Sequence, residues 1–254
     1  MLLEYLDITQ SRGLNELKIL AENLKKFKVL KIGDCSNLVD IEIVSPTLRS
    51  FHYCGNLIGI TVLNAFQLKN VLFNVSPRRR YRPFPLAGRF LCGIVHVTVL
   101  TTTAAFLELF MEGSTFCNVY DIACVLKNCP NIERFFIDLS EFSFESGHYW
   151  EAHHKHLFKQ YNEPMTKLRV IKIKGFKHQR HEIELVKFLL KSATSLETLI
   201  LVTVKGYRTT AQDLELVGFY SYLRDCKASP NAEIKMYPLD RSLIDPTHTA
   251  KTWF

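Results

Sequence analysis

An α/β solenoid, with a curved parallel sheet, irregular repeats and helices on the convex side of its C-terminal half, is the fold class that this sequence predicts. Three observations predict it. One six-residue pattern recurs along the chain, its copies are spaced at near-regular intervals, and turn-forming residues separate them. The pattern places apolar residues first, fourth and sixth and a charged or polar residue second, which is the strand signature of a leucine-rich repeat.

Its clearest copy is Leu168-Arg169-Val170-Ile171-Lys172-Ile173. Earlier copies begin at Leu3, Leu14, Phe27, Leu38, Leu48, Leu57 and Leu68, and later ones at Ile94, Ile132, Leu168 and Leu196. Alternate copies form one series, Leu3, Phe27, Leu48 and Leu68, spaced 24, 21 and 20 residues apart. Leu14, Leu38 and Leu57 form a second series between them, so each early unit holds a main-sheet strand and a short strand on the outer face. Gly33 to Asn37, Ser45-Pro46 and Gly55-Asn56 supply the turns.

From Ser76 to Arg89 the pattern gives way to SPRRRYRPFPLAGR, whose three prolines exclude a central strand. This is an inserted basic loop at 76–89, carrying Arg78, Arg79, Arg80 and Arg82. Beyond it the copies are 38, 36 and 28 residues apart, which leaves room for helices at Ala104–Glu112, Asp121–Asn128, Glu182–Lys191 and Asp213–Cys226. The uncharged stretch Phe90 to Leu107 reads as a buried strand followed by a helix start, because His96 and the Thr101-Thr102-Thr103 switch interrupt any membrane span. The expected organisation is a repeat array over 1–164 and a continuation over 165–254 that caps the solenoid.

Function classes narrow by elimination. No glycine-rich phosphate cradle, nucleophile elbow or kinase motif is present, so the reading is non-catalytic, with no cofactor. Gly147 to Lys159 gathers His148, His153, His154 and His156, yet with neither HExxH nor a flanking cysteine pair it reads as a solvated insertion and no metal is assigned. Seven scattered cysteines, none spaced CxxC, read as reduced thiols. With no signal-peptide pattern after Met1, the expected location is cytoplasmic or nuclear.

Because strand side chains alternate, the fifth residue of each copy faces out when the fourth and sixth face in. The expected binding row in the main sheet is therefore Asp7, Lys31, His52, Leu72, Thr98, Phe136, Lys172 and Ile200, extended by Asp138, Lys174 and Val202. Leu72, Phe136, Ile200 and Val202 are its expected apolar anchors, in the pattern of a protein interface. The formal charge of +7 leaves an alternative, a nuclear module that binds nucleic acid or an acidic partner through Arg78 to Arg82 and the basic residues around Lys172 and Lys174.

The stretch MTKLRVIKIKGFKHQRHEIELVKFLLKSATSLETLILVT at Met165–Thr203, followed by KASPNAEIKMY at Lys227–Tyr237, resembles the plant F-box family that carries leucine-rich repeats and a terminal FBD module. LEYLDI, GDCSNLVDIEI and SPTLRSFHYCGN resemble the repeats of the same family. The resemblance implies target recognition within an SCF-type ubiquitin ligase, with no catalytic residue to carry over. A protein target is the partner expected. A Skp1-like adaptor is not expected, because no F-box precedes Leu3 in this sequence, and neither is a membrane.

Overall fold

In the computed structural model the residues described are 2–56, 58–76, 93–103, 119–140, 164–204, 218 and 221–238. The chain divides into two compact units, Met1–Cys117 with Asp121–Ile132, and Asn118–Tyr120 with Glu133–Phe254. The basic loop beyond Ser76, the histidine-rich stretch and the helix expected at Ala104–Glu112 lie outside the described residues.

The first unit stacks two parallel sheets. Its main sheet has the order β1 (Tyr5–Thr9), β3 (Val29–Gly33), β5 (Ser50–Asn56), β7 (Asn70–Ser76) and β8 (Val99–Thr103). The second sheet runs β2 (Glu16–Leu20), β4 (Asp40–Val44) and β6 (Gly59–Leu63), so the expected alternation of two strand series is observed. Helix α1 covers Val119–Lys127, close to the span expected at Asp121–Asn128. The second unit pairs β9 (Arg134–Asp138), β10 (Val170–Phe176), β11 (Thr198–Thr203) and β12 (Glu233–Pro238) in parallel, with α2 at Arg180–Ser192 between β10 and β11. Residues 221–225, inside the last expected helix, are helical. The fold class is the expected α/β leucine-rich repeat.

Each rung is anchored by its apolar triplet. Phe27, Leu30 and Ile32 are buried, as are Leu48, Phe51 and Tyr53, then Leu68, Val71 and Phe73, and in the second unit Leu168, Ile171 and Ile173. Burying one such side chain contributes about 1.5–3 kcal/mol, so a triplet sets which face of its strand turns inward.

The backbone fixes where each rung begins. The carbonyl of the second template residue accepts two N–H groups from the next rung: Glu4 from Lys28 and Val29, Lys28 from Arg49 and Ser50, Arg49 from Lys69 and Asn70, Lys69 from Thr98 and Val99. Glu133 does the same for Arg169 and Val170, and Arg169 for Glu197 and Thr198. A turn precedes several of the strands, with the N–H of the first template residue donating to the carbonyl three before it: Phe27 to Leu24, Leu38 to Cys35, Leu68 to Ala65, Val97 to Ile94, Ile132 to Cys129.

Both patterns correct one copy. Ile94 is the turn residue and Val97 the first template residue, so the strand is three residues later than the sequence reading places it, with Val97, Leu100 and Thr102 buried. Val97 is apolar in either frame, and the threonine at the sixth place hides the true one.

The second unit depends on two unusual positions. Gly175, at the end of β10, has φ +79° and lies so close to Ser140 that a Cβ would overlap the backbone N and Cα of Ser140. Glu182, buried in the first turn of α2, accepts hydrogen bonds at Oε2 from the backbone N–H of Lys177 (2.7 Å) and of Gln179 (3.1 Å). Burial pushes its carboxyl above the ordinary carboxylate range, against the lowering effect of those N–H groups.

Two outcomes are expected. Gly175→Ala lowers unfolding stability in urea by about 2–4 kcal/mol, from a strained backbone plus the overlap, whereas Gly13→Ala, where nothing lies within 4 Å of a Cβ, stays within about 0.5 kcal/mol of the parent. Because the folded state holds the Glu182 proton more tightly than the unfolded chain, the parent loses stability as pH rises from the unfolded carboxyl's range through the raised folded value. Urea midpoints of Glu182→Gln should therefore gain on the parent across that window, and a pH-independent difference would contradict it.

Candidate functional site

The outward side chains of each main sheet form rows whose membership follows from strand register. In the first unit the fifth-position row is Asp7, Lys31, His52, Leu72 and Thr101, each the direct neighbour of the next. Thr101 stands where Thr98 was expected. Thr98 is a second-position residue in the carbonyl ladder, with its hydroxyl 3.4 Å from the Lys69 oxygen.

Access divides this row. Asp7 is exposed and Lys31 and His52 are half-buried, whereas Leu72 is 7% exposed and Thr101 8%. The accessible end is preorganised by Tyr5. Its hydroxyl donates to Asp7 Oδ2 at 2.8 Å, and the Lys31 Nζ lies 5.5 Å from its ring centroid, within cation–π range. Partial burial raises the Tyr5 hydroxyl's pKa, assisted by the Asp7 hydrogen bond.

The second unit's row is Phe136, Lys172, Ile200 and Lys235, and the row two residues further along is Asp138, Lys174, Val202 and Tyr237. Phe136 is 4% exposed, Lys172 8% and Val202 0%. With Leu72, these face the expected side of the sheet but are not the accessible surface that the sequence reading assigns to them. Of the four expected apolar anchors, only Ile200 is more than marginally exposed. Lys174 and Asp138, expected as separate probes, are joined by an ion pair of 2.7 Å, and Asp138 Oδ1 also accepts the N–H of Ser140.

Sequence reasoning missed the last rung. Lys235 is exposed and holds Glu233 at 2.7 Å, which lowers the Glu233 pKa and raises that of Lys235. Tyr237, 46% exposed, is an aromatic side chain on β12, the last strand of this sheet among the described residues. The alternation in Glu233-Ile234-Lys235-Met236-Tyr237 carried the signal, with Ile234 and Met236 half-buried between exposed neighbours.

Arg78, Arg79, Arg80 and Arg82, and His148, His153, His154 and His156, lie outside the described residues. Among the described residues, no group of three or more His, Cys, Asp or Glu side chains could hold a metal ion, and no helix is long and apolar enough to cross a membrane. Cys35, Cys54, Cys129 and Cys226 are free thiols, and burial pushes the Cys129 thiol up to about 12.

Comparison with known proteins decides the relationship. The family model described as At1g61320/AtMIF1, LRR domain, matches residues 1–84 and 95–233. The chain belongs to this leucine-rich-repeat family. Two relatives from Arabidopsis thaliana, both named as FBD-associated F-box proteins, are similar to it: At1g61330 at 34% identity over 233 residues, and At1g61320 at 32% over 240. These alignments cover 80% and 82% of this chain but 52% of each relative, so the chain spans about half the length of the curated relatives it matches. Of the two stretches on which the resemblance rests, the family match covers Met165–Thr203 entirely and Lys227–Tyr237 as far as Glu233.

Proposed function

We propose that the chain is a non-catalytic protein-interaction scaffold, related to the target-recognition part of an SCF-type ubiquitin-ligase receptor. Membership of a leucine-rich-repeat family with relatives named as FBD-associated F-box proteins supports the reading. In this reading residues 1–164 are the repeat array, residues 165–254 its FBD-like continuation, and the protein works in the cytoplasm or nucleus.

The observation that carries the target-binding role is the accessible end of the first row. Tyr5, Asp7, Lys31 and His52 combine an exposed aromatic ring with charges of both signs on adjacent strands, which is the composition of a polar interface with an aromatic anchor. Ile200, Lys235 and Tyr237 are the corresponding residues of the second unit. Leu72, Phe136 and Val202 lie on the same side of their strands but are buried, so they are left out of the contact set. Lys172 is buried and Lys174 is held by Asp138, so neither favours the alternative of a nucleic-acid module.

Quantitative crosslinking mass spectrometry with the purified chain as bait tests this. The double variant Lys31→Gln, His52→Gln, which adds no acid beside Asp7, should lose its crosslinked protein target by about tenfold while its thermal melt shifts little. An unchanged crosslink profile would remove these residues from the interface.

A further inference from the structure

We propose that the row Lys28, Arg49 and Lys69 binds a short acidic peptide segment of a target protein. This rests on the interaction-scaffold reading and adds the chemistry of one element of the target. The carbonyl ladder makes the three residues direct neighbours at the starts of β3, β5 and β7. Arg49 and Lys69 are exposed and Lys28 is half-buried. Like charges side by side on neighbouring strands cost stability, and the two units treat this row differently. In the second unit it reads Glu133, Arg169 and Glu197, and Arg169 meets Glu197 at 3.3 Å. In the first unit Lys28 is answered by Glu4 at 3.5 Å, but among the described residues no ion pair joins Arg49 or Lys69 to a carboxylate.

Charge and extent identify the occupant. The fifth-position row adds Lys31 and His52 on β3 and β5, and the second, third and fifth places of β3, β5 and β7 hold no carboxylate. The acids Glu16, Asp40 and Glu42 lie instead on the other sheet of this unit. Between the rows the Asn70 amide donates to Ser50 Oγ at 3.3 Å, which leaves the Ser50 hydroxyl proton to donate to a carboxylate beside Arg49. The three cations span two strand spacings, about 10 Å, which roughly four residues of extended peptide cross. Exposed Glu4 and Asp7 on the β1 rung bound the row on one side, so a long polyanion running on along it meets like charge. A short run of Asp and Glu ends before reaching them.

Fluorescence anisotropy of the full chain with labelled hexaglutamate tests this, with hexalysine and hexathymidylate as competing probes. The expected result is that hexaglutamate binds, more weakly as salt is added, and hexalysine does not. The double variant Arg49→Gln, Lys69→Gln should raise the hexaglutamate Kd about tenfold, with a thermal melt no lower than the parent's because a like-charge contact is gone. Lys191→Gln with Arg224→Gln removes the same charge from exposed positions of the second unit and should change that Kd less than about twofold. No binding of hexaglutamate, an equal loss in the two double variants, or tighter binding of hexathymidylate than of hexaglutamate would each overturn the proposal. Neither Lys31 nor His52 is altered here, so if the Lys31→Gln, His52→Gln variant still loses its crosslinked target, such a failure removes the acidic segment and leaves the scaffold reading in place.

Discussion

The structure depends on one backbone interaction repeated from rung to rung: the carbonyl of the second residue of a strand accepting two N–H groups from the next. Each such bond contributes only about 0.5–1.5 kcal/mol net, but leaving a buried partner unpaired costs more, so the ladder is a strong constraint on register. It places Glu4, Lys28, Arg49, Lys69 and Thr98 in one line, and Glu133, Arg169 and Glu197 in another. Their side chains can then be polar and variable, because the backbone does the joining. The apolar triplet that follows decides which face is core, and alternation assigns everything else.

Alternation settles orientation, but it does not settle access. Leu72, Phe136, Lys172 and Val202 all lie on the outward side of their strands and are nevertheless buried. A side chain's exposure depends on neighbours from several rungs and from segments outside the repeat, which a six-residue pattern does not describe. The charged residues follow the same logic. Asp138 and Lys174 lie on adjacent strands in direct register, so their pairing is a consequence of register, and one ion pair replaces two separate contacts for a partner.

What could be read from the sequence divides along these lines. Strands with three strong apolar positions, such as Phe27-Leu30-Ile32 and Leu168-Ile171-Ile173, were legible, and so were the two alternating series and helix α2 with its Ile183, Val186 and Leu190 stripe. Val97-Leu100-Thr102 was not, because a buried threonine breaks the apolar pattern and a chance isoleucine three residues earlier restores it in the wrong frame. β12 was missed because its half-buried Ile234 and Met236 lie among exposed residues without a strong triplet. The capping role of Glu182 was legible only as a helix start, since its buried contact with the 177–179 turn depends on the left-handed conformation at His178, φ +59°.

The functional reading rests on which outward side chains a partner can reach. Hydroxyl-radical footprinting of the purified chain, read residue by residue by mass spectrometry, measures that directly. The account predicts rapid oxidation of Tyr5 and Tyr237 and strong protection of Leu72 and Phe136. Oxidation of Leu72 and Phe136 at rates like that of Tyr5, after allowance for intrinsic reactivity, would contradict it and return the interface to the middle of the sheet.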